Sequence, residues 1–278
     1  LPIFTYSVEI LLFLFSPNEQ KAMIDIKNTR VELAKKKNID FDLRTPEEAF
    51  VETKKINKNL KPKFLYAKPF TVFNTFKKAK QNNSIIPFRG PINNQSLSCA
   101  EDLKYRLVNN DKFGFKNSNE VYEKKINSFL LGDSYAEGLC ETTKNDIAGH
   151  LQKIKNNTVN FGITGTGPLV SLAVLKEFGK NFKPQNVIYL YFEGNDLDDL
   201  NWEKKDMNLM NYLNEKYSND YILKIDQIKL FLDAAALESE AIINSQVSNE
   251  IVSKIVEKKK SDFFKEHETD NIVFANIE

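Results

Sequence analysis

The chain has 278 residues, of which 41% are hydrophobic, enough for one large globular domain or for one domain with an extension. Its 39 basic residues nearly balance 38 acidic ones, so it lacks the excess positive charge typical of nucleic-acid binding, and we expect no nucleic-acid partner. The two cysteines, Cys99 and Cys140, do not have the spacing of a zinc site, and we expect neither a metal nor a cofactor.

The chain begins with an apolar segment, residues 1–15, which is interrupted by Glu9. A bilayer span needs about 20 apolar residues, but this run starts abruptly and without a methionine. We therefore interpret residues 1–16 as the end of a signal anchor or transmembrane helix, which predicts attachment to a membrane. An amphipathic helix that docks on the main domain is the alternative.

The next part of the chain, residues 17–125, is expected to be an N-terminal extension that packs on the main domain. Within it, residues 18–37 have the composition of a charged helix. Residues 38–95 contain five prolines and few periodic apolar runs, which predicts irregular structure.

From residue 126 onward, predicted strands and helices alternate, a pattern typical of a parallel sheet covered by helices. The third strand is apolar on both faces, as a central parallel strand should be. Pro168 suits the first turn of the second helix, and Gly179 suits its C-terminal cap. The predicted elements are strand 126–131, helix 137–154, strand 158–161, helix 169–178, strand 187–192, a mostly helical insertion at 202–260 and strand 272–275. The sequence therefore predicts an α/β domain over residues 126–278.

Each of the first three predicted strands ends in a polar loop that contains glycine. The carboxyl ends of parallel strands meet at one edge of a sheet, so these loops should lie together. Ester chemistry needs a nucleophile and N–H donors that point at the oxyanion. Ser134 offers a hydroxyl and a backbone N–H, Gly165 offers a backbone N–H, and Asn195 offers a side-chain amide. The loops contain Gly132-Asp133-Ser134, Gly162-x-x-Gly165-x-Gly167 and Gly194-Asn195-Asp196.

Each loop also has a simpler interpretation. Asp133 and Ser134 are favoured helix caps, and for these residues alone that alternative is equally good. The glycines of the second loop suggest phosphate binding, but they match neither the dinucleotide fingerprint nor a P-loop with its lysine. Asp196 suits a helix cap, and the acidic run that it begins lacks the spacing of a calcium loop.

Taken together, the three loops resemble the signature blocks of the SGNH/GDSL hydrolase superfamily. Glu193 differs from the family pattern, because the third block usually begins with a glycine at that position. The resemblance covers residues 126–278. In addition, the sequences of residues 110–117, 160–169 and 191–197 are similar to those of a bacterial branch of the superfamily that has an N-terminal membrane helix. The matching residues are Gly132, Asp133, Ser134 and Gly138, then Asn160, Gly162 and Gly165, then Asn195 and Asp196.

This resemblance implies a three-layer α/β/α flavodoxin-like parallel sheet and a serine esterase. Ser134 would be the nucleophile, and the oxyanion hole would combine its N–H with that of Gly165 and the side chain of Asn195. The supporting residues would be Gly132, Asp133 and Asp196. The implied partner is an ester-bearing small molecule, lipid or surface glycan, which reacts through an acyl-enzyme. An O-acyltransferase at the same site and a non-catalytic glycan- or partner-binding module are the alternatives.

The resemblance also implies a histidine base in an Asp-x-x-His segment, and this sequence contains no such segment. His150 is predicted on the helix that follows Ser134, roughly 24 Å from it at about 1.5 Å per residue. His267 precedes the fourth predicted strand and has Phe264 three residues before it. We therefore expect a fragment that lacks the catalytic His and Asp and is inactive by itself. A degenerate, non-catalytic member of the family is the alternative.

The predicted location follows from the apolar start and the resemblance: a membrane-anchored protein with an extracytoplasmic, periplasmic domain. The cysteines leave two possibilities open. In an exported domain Cys99 and Cys140 would form one disulfide, whereas in the cytosol both would be small buried residues.

Overall fold

The computed structural model describes residues 31–38, 42, 44–65, 87–98, 104–154 and 156–266, without the side chains of residues 64, 65 and 249–266. The predicted membrane segment, His267 and the predicted strand at 272–275 lie outside these ranges. Within them, no helix combines the length and the apolar composition that a membrane span requires.

The chain divides into two compact units. The first comprises Leu1–Leu43 and Ala100–Lys104, where residues 31–36 are helical. The second comprises Arg44–Cys99 and Tyr105–Glu278 and contains every element described below. Most of the predicted N-terminal extension therefore belongs to the same compact unit as the sheet.

The expectation of irregular structure at residues 38–95 was wrong for helix α1 (Pro46–Ile56). This helix begins with a capping box, in which the Thr45 hydroxyl accepts from the Glu48 N–H and the Glu48 carboxylate accepts from the Thr45 N–H. Two small antiparallel pairs follow along the chain. They are β1 (Phe64–Leu65) with β2 (Arg89–Gly90), and β3 (Gln95–Leu97) with β4 (Leu107–Asn109).

The α/β class is confirmed by a three-stranded parallel sheet. Its strands are β5 (Ser128–Gly132), β6 (Thr158–Asn160) and β7 (Asn186–Leu190), in the order β6-β5-β7. Every residue of the central strand β5 is buried. The expectation that the third strand is central does not hold within the described residues, where β7 pairs with β5 alone and Val187 is 45% exposed.

The helix predicted at residues 137–154 is instead two short helices, α2 (Ser134–Glu137) and α3 (Ile147–Lys153). Gly138 ends α2 in the left-handed region at φ 63°, where a side chain would also press on Asp146. The helix predicted at 169–178 is longer, α4 (Pro168–Phe182), and begins with the expected proline. The cap assigned to Gly179 was wrong, because Lys183 ends this helix at φ 45°.

The mostly helical insertion is confirmed where it is described. It contains α5 (Asp196–Glu203), α6 (Met207–Met210) and the long α7 (Ile225–Glu266). The core between the sheet and α4 is aromatic. The ring of Phe161 lies 4.7 Å from that of Phe129 and 4.6 Å from that of Phe178, which fixes α4 against one face of the sheet.

Candidate active site at the carboxyl edge of the sheet

Ser134 stands where strand β5 turns into helix α2. Gly132 ends the strand at φ 138°, and a Cβ there would lie 2.6 Å from the carbonyl oxygen of Leu190. Asp133 caps the helix, because its carboxylate accepts from the Tyr135 N–H at 2.9 Å. Ser134 is the first helical residue and is half-buried, and its hydroxyl makes no hydrogen bond with the described part of the chain.

The glycine loop, residues 162–167, runs directly against this turn. The Ile163 N–H donates to the Gly132 carbonyl at 2.9 Å. A Cβ added at Gly162 would overlap the backbone nitrogen of Glu137, so only glycine allows this approach. Gly165 has φ 73°, in the left-handed region that favours glycine. The serine turn and the glycine loop are therefore brought together, as the strand order predicts.

Glu137 connects α2 to the glycine loop, and sequence reasoning did not identify it. One carboxylate oxygen accepts from the Thr164 N–H at 2.9 Å and from its hydroxyl at 2.6 Å. The other oxygen binds Arg89 at 2.5 Å and Lys63 at 2.7 Å. These partners are far away in the sequence, so no local pattern indicates the cluster.

The electrostatics of this cluster follow from its burial. The side chains of Glu137 and Arg89 are 1% and 0% exposed. Burial alone would raise the pKa of Glu137, but Arg89 and then Lys63 outweigh it and hold that pKa well below its usual range. Burial and the neighbouring Arg89 lower the pKa of Lys63 to about 8. Glu137 is therefore ionised at neutral pH.

Asn195, predicted as an oxyanion donor, lies next to the serine turn. Its side-chain nitrogen donates to Asp133 at 3.4 Å and to Asp199 at 3.1 Å. Its side-chain oxygen is buried and has no hydrogen-bond partner among the described residues. Both N–H groups of the amide are thus engaged, and a contact with an oxyanion would require one of them to leave a carboxylate.

Asp196 supports the loop after β7 and is fully buried. Its carboxylate accepts from the Phe192 N–H at 3.0 Å and from the Tyr189 hydroxyl at 3.0 Å. Burial and then this hydrogen bond raise the pKa of Tyr189. Asp196 therefore closes the loop that presents Asn195.

Glu203 was also missed by sequence reasoning. It lies at the end of α5, and its carboxylate accepts from the backbone N–H groups of Gly167 at 2.5 Å and Leu169 at 2.9 Å. Burial raises the pKa of Glu203 to about 7, although these backbone hydrogen bonds act in the opposite direction. Glu203 thereby joins the end of α5 to the glycine loop and to the start of α4.

Two exposed aromatic rings accompany the serine turn. Tyr135, which directly follows Ser134, is 60% exposed, and its ring lies 4.9 Å from that of Phe192. Phe192 belongs to the loop after β7. The two ring planes are tilted by 47°, and the pair presents an exposed apolar surface beside the candidate site.

Ser134 makes no hydrogen bond with His150, the histidine that lies within the described residues. His150 is exposed on α3, and the break at Gly138 removes the basis for its estimated distance along one helix. His267 lies outside the described residues. The expected base therefore stays a prediction.

Cys140 follows α2 closely and is disulfide-bonded. The chain has two cysteines, and Cys99 is the other. Of the two possibilities left open by the sequence, the disulfide is the one that the structure favours. Cys99 itself lies outside the described residues.

The chain matches no protein-family model, no curated protein and no solved structure to which it was compared. The resemblance to the SGNH/GDSL superfamily therefore rests on the three loops alone.

Proposed function

We propose that the protein is a serine esterase of the SGNH type, with Ser134 as its nucleophile. The observation that carries the proposal is the position of Ser134. Its half-buried hydroxyl, which makes no hydrogen bond with the described residues, stands at the carboxyl end of the central parallel strand, between the glycine loop and the loop of Asn195. Ligand sites in open α/β sheets commonly lie at this edge.

The order of the strands also supports the proposed fold. In chain order, the second strand lies beside the first, and the first lies beside the third. A flavodoxin-like sheet begins with the same 2-1-3 order. This agreement supports a three-layer SGNH hydrolase fold but is shared by other doubly wound proteins.

In the proposed reaction, the Ser134 oxygen attacks the ester carbonyl while its proton passes to a base. The tetrahedral oxyanion accepts hydrogen bonds from the N–H groups of Ser134 and Gly165 and from the Asn195 amide. Collapse expels the alcohol and leaves an acyl-serine, which water then hydrolyses to the free acid. Transfer to a sugar hydroxyl instead of water would make the same site an O-acyltransferase.

The proposal requires a histidine base that the described residues do not provide. The resemblance implies an Asp-x-x-His segment, so we expect the polypeptide of residues 1–278 to hydrolyse esters slowly or not at all. The complete gene product should be active if it contains that segment. The disulfide at Cys140 supports an exported domain, because such bonds persist in oxidising compartments.

Hydrolysis of p-nitrophenyl acetate by the complete gene product tests the proposal. We expect Ser134→Ala to lower kcat/KM by at least about 1,000-fold, as loss of a serine nucleophile does in other hydrolases. Ser248→Ala, at an exposed position on α7, serves as the matched control. Equal rates for the wild type and Ser134→Ala would exclude Ser134 as the nucleophile.

A second candidate is a non-catalytic binding module. Two observations favour it: the Asn195 amide is engaged by two carboxylates, and Tyr135 and Phe192 form an exposed aromatic pair. Aromatic faces provide a large apolar contact area for the rings of a glycan. Calorimetric titration with a neutral O-acetylated oligosaccharide tests this candidate. Tyr135→Ser should abolish the binding heat, and an unchanged affinity would eliminate the aromatic pair as its site.

A further inference from the structure

The Glu137 carboxylate joins helix α2 to three other parts of the chain. Arg89 and Lys63 bind one of its oxygens, and Thr164 binds the other through both its N–H and its hydroxyl. Every heavy-atom distance in this set lies between 2.5 and 2.9 Å. Such short, charge-assisted contacts strongly constrain the atoms that they join.

We propose that Glu137 is a positioning residue that fixes the glycine loop against the helix that begins with Ser134. The proposal rests on the proposed function, because the position of Gly165 matters for catalysis only if the loop supplies an oxyanion donor. Thr164, the residue held by Glu137, directly precedes Gly165. An oxyanion hole depends on donors that are already in place before reaction.

The loop is held at two points by the same cluster. Arg89 binds Glu137 and also donates to the carbonyl oxygen of Gly162 at 3.1 Å. The approach of Gly162 to the backbone of Glu137 leaves no room for a side chain. The segment from Gly162 to Thr164 therefore cannot move away from α2 without breaking several buried contacts.

The cluster also has a charge that suits this role. Two cations, Arg89 and Lys63, face the single carboxylate of Glu137, while Lys116 pairs separately with Asp146 at 3.1 Å. The surplus positive charge next to the glycine loop has the sign that stabilises an oxyanion. Buried ion pairs commonly add little stability compared with apolar side chains of the same volume. For the buried ion pairs of Glu137, orientation of the glycine loop is therefore a better explanation than a gain in stability.

The cluster makes the N-terminal segment part of the site. Arg89 belongs to β2, and Lys63 directly precedes β1. Neither residue belongs to the α/β region whose loops resemble the family blocks. We infer that this segment acts through Glu137 on the oxyanion loop.

Two variants separate the effect of the Thr164 hydroxyl hydrogen bond from the effect of the Glu137 charge. Thr164→Val removes the hydroxyl bond, and Glu137→Gln removes the charge while keeping the shape. Thr53→Val on α1 and Glu52→Gln at an exposed position are the matched controls. Amide hydrogen exchange of residues 163 and 164, whose N–H groups donate to Gly132 and Glu137, would be measured by NMR in the complete gene product, together with kcat and KM for p-nitrophenyl acetate.

We expect both loop amides to exchange at least about tenfold faster in each variant, because one net hydrogen bond corresponds to roughly that factor. We also expect kcat to fall about tenfold with KM little changed, the pattern of a contact that matters in the transition state. The controls should match the wild type. Unchanged loop exchange, or faster exchange spread equally over β5 and β6, would overturn the proposal.

The exchange measurement does not depend on catalysis. If Ser134→Ala leaves hydrolysis unchanged, the proposed function fails. Local acceleration in the loop would still establish that Glu137 fixes it, and unchanged loop exchange would still refute that role.

Discussion

The Asn195 amide donates to the Asp133 carboxylate, so the loop after β7 is tied to the residue that precedes Ser134. The same nitrogen also donates to Asp199. Asn195 thus lies between two largely buried carboxylates that would otherwise repel each other. Its first role in the folded protein is to hold the serine turn and the third loop together.

Removal of this amide should destabilise the protein. We expect Asn195→Ala to lower the free energy of unfolding by about 1–3 kcal/mol, because buried carboxylate oxygens lose their donor. Urea denaturation followed by circular dichroism gives the comparison, with exposed Asn211→Ala as the control. Equal midpoints for Asn195→Ala and the wild type would show that the amide is not needed to separate the two carboxylates.

Replacement by alanine should change the free energy of unfolding in opposite directions at two glycines. Gly162→Ala would force a Cβ into the backbone of Glu137, and we expect a loss of about 1–3 kcal/mol from overpacking. Gly179→Ala lies inside α4, where the nearest atom of Leu175 would be 3.5 Å away. Here we expect a gain of about 0.5–1 kcal/mol from helix propensity.

Thermal unfolding of both variants tests the pair together. Each variant is the control for the other, since both make the same chemical change. Destabilisation by Gly179→Ala would argue against a helix that continues through residue 179. Tolerance of alanine at Gly162 would argue against the close approach of the glycine loop to α2.

Sequence periodicity predicted the parallel sheet and the meeting of its loops, because both depend on the order of local elements. It missed α1, whose clearest mark is the Thr45–Glu48 capping box rather than an apolar stripe. It also continued a helix through Gly138, where the backbone turns left-handed and packs on Asp146. Both errors concern features of one or a few residues, a capping box and a left-handed glycine, which are harder to recognise in a sequence than a periodic apolar pattern.

The composition of the site was less predictable than its location. The partners of Glu137 come from distant parts of the chain, and only tertiary folding brings Arg89 and Thr164 to it. Asn195 was correctly placed at the end of a strand, but its hydrogen-bond partners could not be inferred. A residue type indicates which bonds are possible, whereas the packed neighbours decide which are made.

The disulfide at Cys140 can be tested by alkylation of the cysteines and measurement of the protein mass. Native protein treated with an alkylating reagent without reductant should gain no mass, whereas reduced and denatured protein should gain two adducts. Reduction should lower the free energy of unfolding by about 2–4 kcal/mol. Two alkylated cysteines in unreduced native protein would contradict both the disulfide and its support for an exported domain.

Glu203 should make the stability depend on pH below neutrality. Its pKa is about 7 in the folded protein, because burial outweighs the backbone N–H groups that it accepts from, whereas 4.5 is the ordinary value expected after unfolding. Between these two pKa values the folded state binds more protons than the unfolded state does, so the free energy of unfolding falls as pH rises. The contribution is fully present below pH 4.5 and is lost as pH rises to about 7, by at most about 3 kcal/mol.

Glu203→Gln isolates this contribution, because glutamine keeps the shape and cannot titrate. We expect the wild type to lose stability relative to this variant between about pH 4.5 and 7, as measured by urea denaturation at several pH values. Glu52→Gln, at an exposed position on α1, should follow the wild type throughout. A constant difference between the wild type and Glu203→Gln would mean that Glu203 is ionised across this range. The three backbone N–H groups of the α4 terminus would then outweigh the cost of burial.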